Sequence, residues 1–105
     1  MDTIPNNAKI EVIRYTPDFS AICSVSNVPF HGNIEIVYRP SDILIEFISF
    51  EKWLVDISNN HMNIEDLARL VFDELTVILG EIPLCVTVHA KTIVHAPVSA
   101  TIERE

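Results

Sequence analysis

Glycine is nearly missing from this chain: Gly32 and Gly80 are the only two in 105 residues. Loops that cradle phosphates need several glycines close together, so nucleotide-binding classes built on such loops are excluded. The G-x-S-x-G turn that exposes a hydrolase serine is absent as well. Clustered cations are also lacking. Seven Lys and Arg stand against fifteen Asp and Glu, giving a formal charge of -8. Nucleic-acid binding rests on neutralising phosphates with grouped cations, so this composition speaks against a broad, tight footprint, and a tRNA partner is disfavoured on charge. Cys23 and Cys85 are too few for a disulfide framework. His31, His61, His89 and His95 follow no zinc-ligand spacing, so no metal is expected. No apolar run reaches the ~18 residues of a membrane span. The opening MDTIPNNAK has no apolar segment of a signal peptide. The expectation is a cytoplasmic protein with reduced thiols and no membrane contact.

What the chain has in quantity is apolar side chains, 49% of its residues. One domain over 1–105 is large enough for a single core and too small for a deep pocket of its own. A chain of this kind often covers apolar surface with copies of itself, so a homo-oligomer is expected.

Residues 1–8, polar and with Pro5, are expected as a loose lead-in. Lys9 to Tyr15 alternates with strong β-formers and predicts a strand, ended by Thr16-Pro17-Asp18. Phe19 to Val28 reads as extended but irregular, and Pro29 to Gly32 as a turn. Asn33 to Tyr38 alternates cleanly and predicts a half-buried strand; Ile43 to Phe47 predicts a short one. From Ser49, as N-cap, the period changes: Phe50, Trp53, Leu54 and Ile57 share one helical face. Ser58 to Asn63 reads as a loop. Asn63 caps a second helix with Glu65 and Asp66 in its first turn, where the helix dipole favours acids. Its stripe is Ile64, Leu67, Leu70, Val71, Leu75, Ile78 and Leu79, and Gly80 ends it. Leu84 to Val88 and Ile93 to Ile102 supply two more strands. The expected fold class is α+β, a four-stranded antiparallel sheet with two helices on one face, in the order ββααββ.

Cys23, followed by small polar residues, is a candidate thiol near a surface or cleft; a buried packing role is the plainer alternative. Cys85, within a strand, reads as structural. Glu46 lies in an apolar run, where a carboxylate needs a partner or a solvent-facing edge. Glu65 has a sufficient structural role as a first-turn acid.

In order and spacing, the stretch from Cys23 to Glu65 resembles the nitrile reductase (QueF) family. That family carries Cys-Pro-x-Thr-Gly-x-Pro-Asp, matched here by the eight residues from Cys23 to Phe30. A strand ending in Tyr-x-Pro follows, here Tyr38-Arg39-Pro40. Val-Glu-Ser-Lys-Ser corresponds to Ile45-Glu46-Phe47-Ile48-Ser49, and an aromatic helix keeps Trp53. Phe-His-Glu-Asp corresponds to Asn63-Ile64-Glu65-Asp66. The register runs without a gap from Cys23 to Glu65.

The resemblance implies a tunnelling fold assembled into a homo-oligomeric barrel with sites between subunits. It implies that Cys23 attacks the nitrile carbon of 7-cyano-7-deazaguanine to give a covalent thioimide. Glu65 then grips the guanine-like edge of the base, with Glu46 and Ser49 in the same pocket. The family's acid, an aspartate, falls on Phe30, which leaves the neighbouring His31 as the candidate proton donor. The lysines tied to NADPH fall on Ile48 and Glu51, and the Arg-Gly-Gly turn on Ile93-Val94-His95. Short archaeal relatives use the same thioimide to add ammonia, making archaeosine in tRNA. The alternative is a non-catalytic purine- or pterin-binding, or purely structural, oligomer of the same fold.

Overall fold

The computed structural model describes residues 1–25, 27–58, 60–91 and 96–105. Strands β1 (Thr3–Pro5), β2 (Ile13–Tyr15), β3 (Asp18–Cys23), β4 (Pro29–Tyr38) and β5 (Ile43–Ile45) precede helix α1 (Phe47–Ser58). The short β6 (His61–Met62), helix α2 (Ile64–Leu79), β7 (Leu84–Lys91) and β8 (Val98–Arg104) follow. The centre is an antiparallel run β3-β4-β7-β8, so the expected four-stranded α+β layout is present at that level. β2 pairs β4 in the same register as β3, with Tyr15 opposite Ile36 and Asp18 opposite Asn33. The two strands are one hairpin arm interrupted at Pro17, whose carbonyl still accepts from the Ile34 amide at 2.9 Å.

Strand residues alternate between faces, and here the alternation is complete. Phe19, Ala21, Phe30, Ile34, Ile36, Tyr38, Leu84, Val86 and Val88 are buried. Between them Ser20, His31 and Glu35 are exposed. α2 covers the buried face with Leu67, Val71 and Leu75, and α1 with Phe50 and Leu54. Each such aliphatic or aromatic side chain contributes roughly 1.5–3 kcal/mol of burial. Asn63 caps α2 as expected, its Oδ1 accepting from the Asp66 amide at 2.8 Å. Gly80 ends the helix at φ 84°, a conformation that suits glycine. Leu70, placed in the stripe by its spacing, is instead 39% exposed; Ala68 and Phe72 take that side of the core.

Several expectations need correction. The strand expected from Lys9 covers only Ile13–Tyr15, and the irregular Phe19 region is the regular β3. Pro29 to Gly32 is not a turn: Pro29 pairs Ile22 and Gly32 pairs Phe19. The turn lies earlier, closed by Asn27 N–H to the Cys23 carbonyl (2.9 Å) and Cys23 N–H to the Val28 carbonyl (3.0 Å). The first residues are not loose. β1 pairs β5, and the buried Asn6 side chain donates to the Ile10 and Ser41 carbonyls and accepts from the Ile10 amide. Buried amide groups require such partners, so Asn6 pins this segment. The loop expected at Ser58 to Asn63 contains β6, which pairs β3 in parallel. Of the last expected strand, residues 93–95 lie outside the described residues.

Candidate functional site

β3 delivers Cys23 to the face of the sheet that carries the helices, the face of Phe19 and Ala21. Its parallel pairing with β6 sets Cys23 opposite Met62, one residue before the cap of α2. The His61 ring hydrogen-bonds Asn27 Oδ1 through Nε2 at 2.7 Å, tying β6 to the loop after Cys23. The result is a pocket of about 140 Å³ walled by Cys23, Phe30, Asn63, Ile64, Ala90, Ala96 and Val98. Among the described residues its wall is apolar, and Asn63 is the one residue in it with a side-chain amide. A half-buried thiol therefore faces an apolar space beside the N-terminus of a helix of 16 residues. Helix N-termini favour negative charge nearby, and a nucleophilic thiol must pass through its thiolate.

The other expected site residues are placed differently. Glu65 is exposed in the first turn of α2, two residues after Asn63, and does not line the pocket. His31 is exposed on the outer face of the sheet, because its neighbour Phe30 takes the inner one. Within one chain His31 and Cys23 thus lie on opposite sides of the sheet, and the expected proton-donor role of His31 is not available there.

Glu46 and Ser49 both hydrogen-bond at the start of α1. The helix begins at Phe47, before the expected cap at Ser49, and the Glu46 carboxylate accepts from the Ile48 and Ser49 amides. Ser49 Oγ donates to the Glu46 carbonyl at 2.9 Å and accepts from the Asp2 amide at 2.8 Å. The motif tyrosine Tyr38 is a buried structural group whose Oη accepts from the Ile45 amide at 3.1 Å. Burial raises the Tyr38 pKa, and that hydrogen bond offsets part of the rise.

Sequence reasoning missed Tyr15. It packs on Phe47 and Phe50 with ring centroids 4.5 and 5.6 Å away, and its Oη is buried with no well-aligned hydrogen-bond partner. Its pKa stands well above the ordinary phenol value, first through burial, then through the nearby Glu51 carboxylate, with Glu46 adding to it. Nothing in the local sequence of Tyr15 signals this, since the aromatic cluster forms across β2 and α1. Asn63 was read only as a cap; its place in the pocket wall follows from the β3–β6 pairing, which no periodicity announces.

In sequence the chain is similar to curated 7-cyano-7-deazaguanine reductases, and in fold to a QueF-like structure. It is 27% identical over 78 residues to an NADPH-dependent 7-cyano-7-deazaguanine reductase of Chlorobium phaeobacteroides (strain BS1), which is 74% of this chain and 64% of that protein. It is 30% identical over 73 residues to the enzyme of the same name from Wolinella succinogenes, covering 68% of this chain and 59% of that protein. The chain thus spans less than two thirds of these relatives. No family model matches it. In three dimensions it superposes on the apo crystal structure of the archaeosine synthase QueF-Like with a TM-score of 0.81. That match covers 90% of this chain and 93% of that one at 17% identity, and so bears on the fold. Among the described residues no helix is long and apolar enough to cross a membrane, and no group of three or more His, Cys, Asp or Glu is placed to hold a metal.

Proposed function

We propose that this protein acts on the nitrile of 7-cyano-7-deazaguanine through a covalent thioimide at Cys23. The observation that carries the reading is the position of Cys23 in the wall of an apolar pocket against Asn63 and Ile64. The names of the curated relatives, which are reductases of that compound, support it. In this reading the Cys23 sulfur adds to the nitrile carbon and the nitrogen takes up a proton, ordinary nucleophilic catalysis with a thiolate. An apolar wall suits the flat heterocycle, whose polar edge then needs an acceptor at the pocket mouth. Glu65, exposed in the first turn of α2, is the carboxylate we assign to it, accepting two N–H groups in parallel.

Among the described residues, one chain offers neither an acid in the pocket wall nor a carboxylate within it. We therefore place the working site between copies of the chain in a homo-oligomeric tunnelling-fold barrel. The outer edge of β8 pairs with no strand among the described residues, and a strand edge of this length is a template for another chain.

NADPH reduction is the less favoured outcome of the thioimide. Ile48 and Glu51 line a groove with Lys52, Val55 and Asp56, which offers a phosphate one cation against two carboxylates. Ammonia addition, or reduction with the cofactor held by other residues, follows from the same intermediate. The burial of Phe30 where the family has its aspartate favours a second reading, a binding or structural oligomer without turnover.

Intact mass spectrometry after mixing with 7-cyano-7-deazaguanine separates these. An adduct in the native chain that vanishes in Cys23→Ala supports thioimide chemistry. Retention of the compound without an adduct, in a folded oligomer, supports the binding reading and overturns the first.

A further inference from the structure

The outer face of the sheet, opposite the helices, carries chemistry of its own. In a direct row across three strands, Asn33 of β4 pairs His89 of β7, which pairs Ser99 of β8. His89 Nδ1 lies 2.7 Å from Ser99 Oγ, and its Nε2 lies 3.3 Å from Glu35 Oε2, one diagonal step along β4. With Nε2 protonated, the ring donates to the Glu35 carboxylate and leaves Nδ1 to accept from the serine hydroxyl. A carboxylate on the Nε2 side favours that tautomer. A hydroxyl, a base within hydrogen-bond reach of it, and a third group orienting the base are the parts of an activated nucleophile.

The surroundings agree. The His89 and Glu35 side chains are 40% and 53% accessible, so a small molecule can reach them. A groove of about 280 Å³ runs over the row, lined by His31, Asn33, His89, Lys91 and Ser99 among others. β4 approaches β7 closely enough there that a Cβ on Gly32 would overlap the His89 carbonyl, so only glycine fits beneath the groove. Strand amides are taken up by the ladder, and oxyanion donors must come from side chains. Asn33, across from His89, and Lys91, two residues further along the same face of β7, are the donors on hand.

We propose that Ser99, activated by His89 and oriented through Glu35, is a second nucleophile that accepts acyl groups from small activated esters. In the first step Ser99 Oγ bonds to the carbonyl carbon while its proton passes to His89 Nδ1. The ester C–O bond breaks and the departing alkoxide takes that proton. In the second step water gives a proton to His89 Nδ1 and adds to the acyl carbon; the carbon–Oγ bond breaks, Ser99 Oγ takes that proton back, and the acid is released. No electrons change hands. The residues sit on three separate strands, which is why a search for a serine elbow in the sequence does not find them. This centre is independent of the Cys23 reading, and its test uses no deazaguanine.

The test is labelling with a fluorophosphonate serine probe followed by peptide mass mapping, with p-nitrophenyl acetate turnover measured in the Cys23→Ala background. The expected label is on Ser99, absent in Ser99→Ala and slowed about 100-fold in His89→Ala, the size of a general-base contribution. Glu35 is a positioning residue, so Glu35→Ala is expected to slow labelling of Ser99, and Glu35→Gln, whose amide oxygen still accepts from Nε2–H, to restore most of it. Glu35 and Ser99 are exposed and His89 is half-buried, and circular dichroism checks that each variant is folded. Label scattered over other hydroxyls, or a Ser99 rate unchanged in His89→Ala, overturns the proposal.

Discussion

Phe30 and His31 are consecutive in β4 and face opposite sides of the sheet. Phe30 is 4% exposed, packed edge-on against Phe19 at 5.7 Å, and walls the Cys23 pocket. His31 stands in solvent on the other face. The period of two in a strand makes this arrangement unavoidable. If thioimide chemistry occurs, the proton on the nitrile nitrogen does not come from His31 of the same chain. His31→Ala is therefore expected to leave the extent of adduct formation with 7-cyano-7-deazaguanine within about twofold of native, whereas Cys23→Ala abolishes it. Intact mass spectrometry of the two variants side by side checks this. A large loss in His31→Ala would point to a His31 contributed across a subunit boundary.

Glu65 separates a structural from a functional role cleanly. As an exposed first-turn acid it stabilises α2 by roughly 0.3–1 kcal/mol through the helix dipole. Glu65→Gln should therefore shift thermal unfolding only slightly. As an anchor for two N–H donors it would matter much more, because hydrogen bonds to charged groups contribute about 1.5–3 kcal/mol each. A loss of 7-deazaguanine affinity of at least about tenfold is expected by isothermal titration, one factor of ten per 1.4 kcal/mol. Equal affinity in Glu65→Gln would remove Glu65 from the proposed site.

The parts of this fold legible in the sequence are those with sustained local periodicity. α2 was legible down to its Asn63 cap and Gly80 stop, and the face of α1 from Phe50 and Leu54, because those signals lie within a few residues of one another. Failures came where distant partners decide. Pro29 and Gly32 have turn chemistry, yet pairing with Ile22 and Phe19 holds them extended. The first residues look loose until β5 supplies a strand to pair with and Asn6 finds backbone partners around Ser41 and Asp42. Glu46 and Ser49, pocket residues by resemblance, also hold the start of α1 with hydrogen bonds that no periodicity announces. Cys23 was legible as a candidate; what the sequence did not reveal is that β6 brings it to the cap of α2.

Tyr15 and Tyr38 predict an alkaline weakness. Both phenols have folded pKa values raised above the ordinary phenol value of 10.0, chiefly by burial. Above that pH the unfolded chain ionises its tyrosines while the folded chain holds these two protonated. The unfolded state then binds fewer protons, so stability falls as pH rises, and it is fully present below pH 10. Tyr15→Phe removes a buried hydroxyl that lacks a well-aligned partner. It is expected to be neutral or stabilising at pH 7 and to flatten the fall above pH 10. Tyr38→Phe flattens the fall too, but leaves the Ile45 amide without its acceptor and costs about 1–3 kcal/mol at pH 7. Urea denaturation at pH 7 and at a series of values above 10 reads both effects, and a Tyr15→Phe variant that loses stability at pH 7 would contradict the first.

Arg104, near the end of β8, closes the far end of α2. Its guanidinium donates to the Ile82 carbonyl through Nε at 3.0 Å, to Thr76 Oγ1 at 3.2 Å and to the Gly80 carbonyl at 3.3 Å. It also lies over the Phe72 ring, 5.0 Å from the centroid. The last turn of α2 holds no basic residue of its own, so this arginine is the cation that meets the carbonyl end of the helix. Lysine has one compact ammonium and cannot reproduce three divergent hydrogen bonds while stacking on a ring. Arg104→Lys is therefore expected to lose about 1–2 kcal/mol, most of what Arg104→Ala loses, with hydrogen exchange accelerating first at the C-terminal turn of α2. Exchange rates in that turn equal to native in Arg104→Ala would show that Gly80 alone ends the helix.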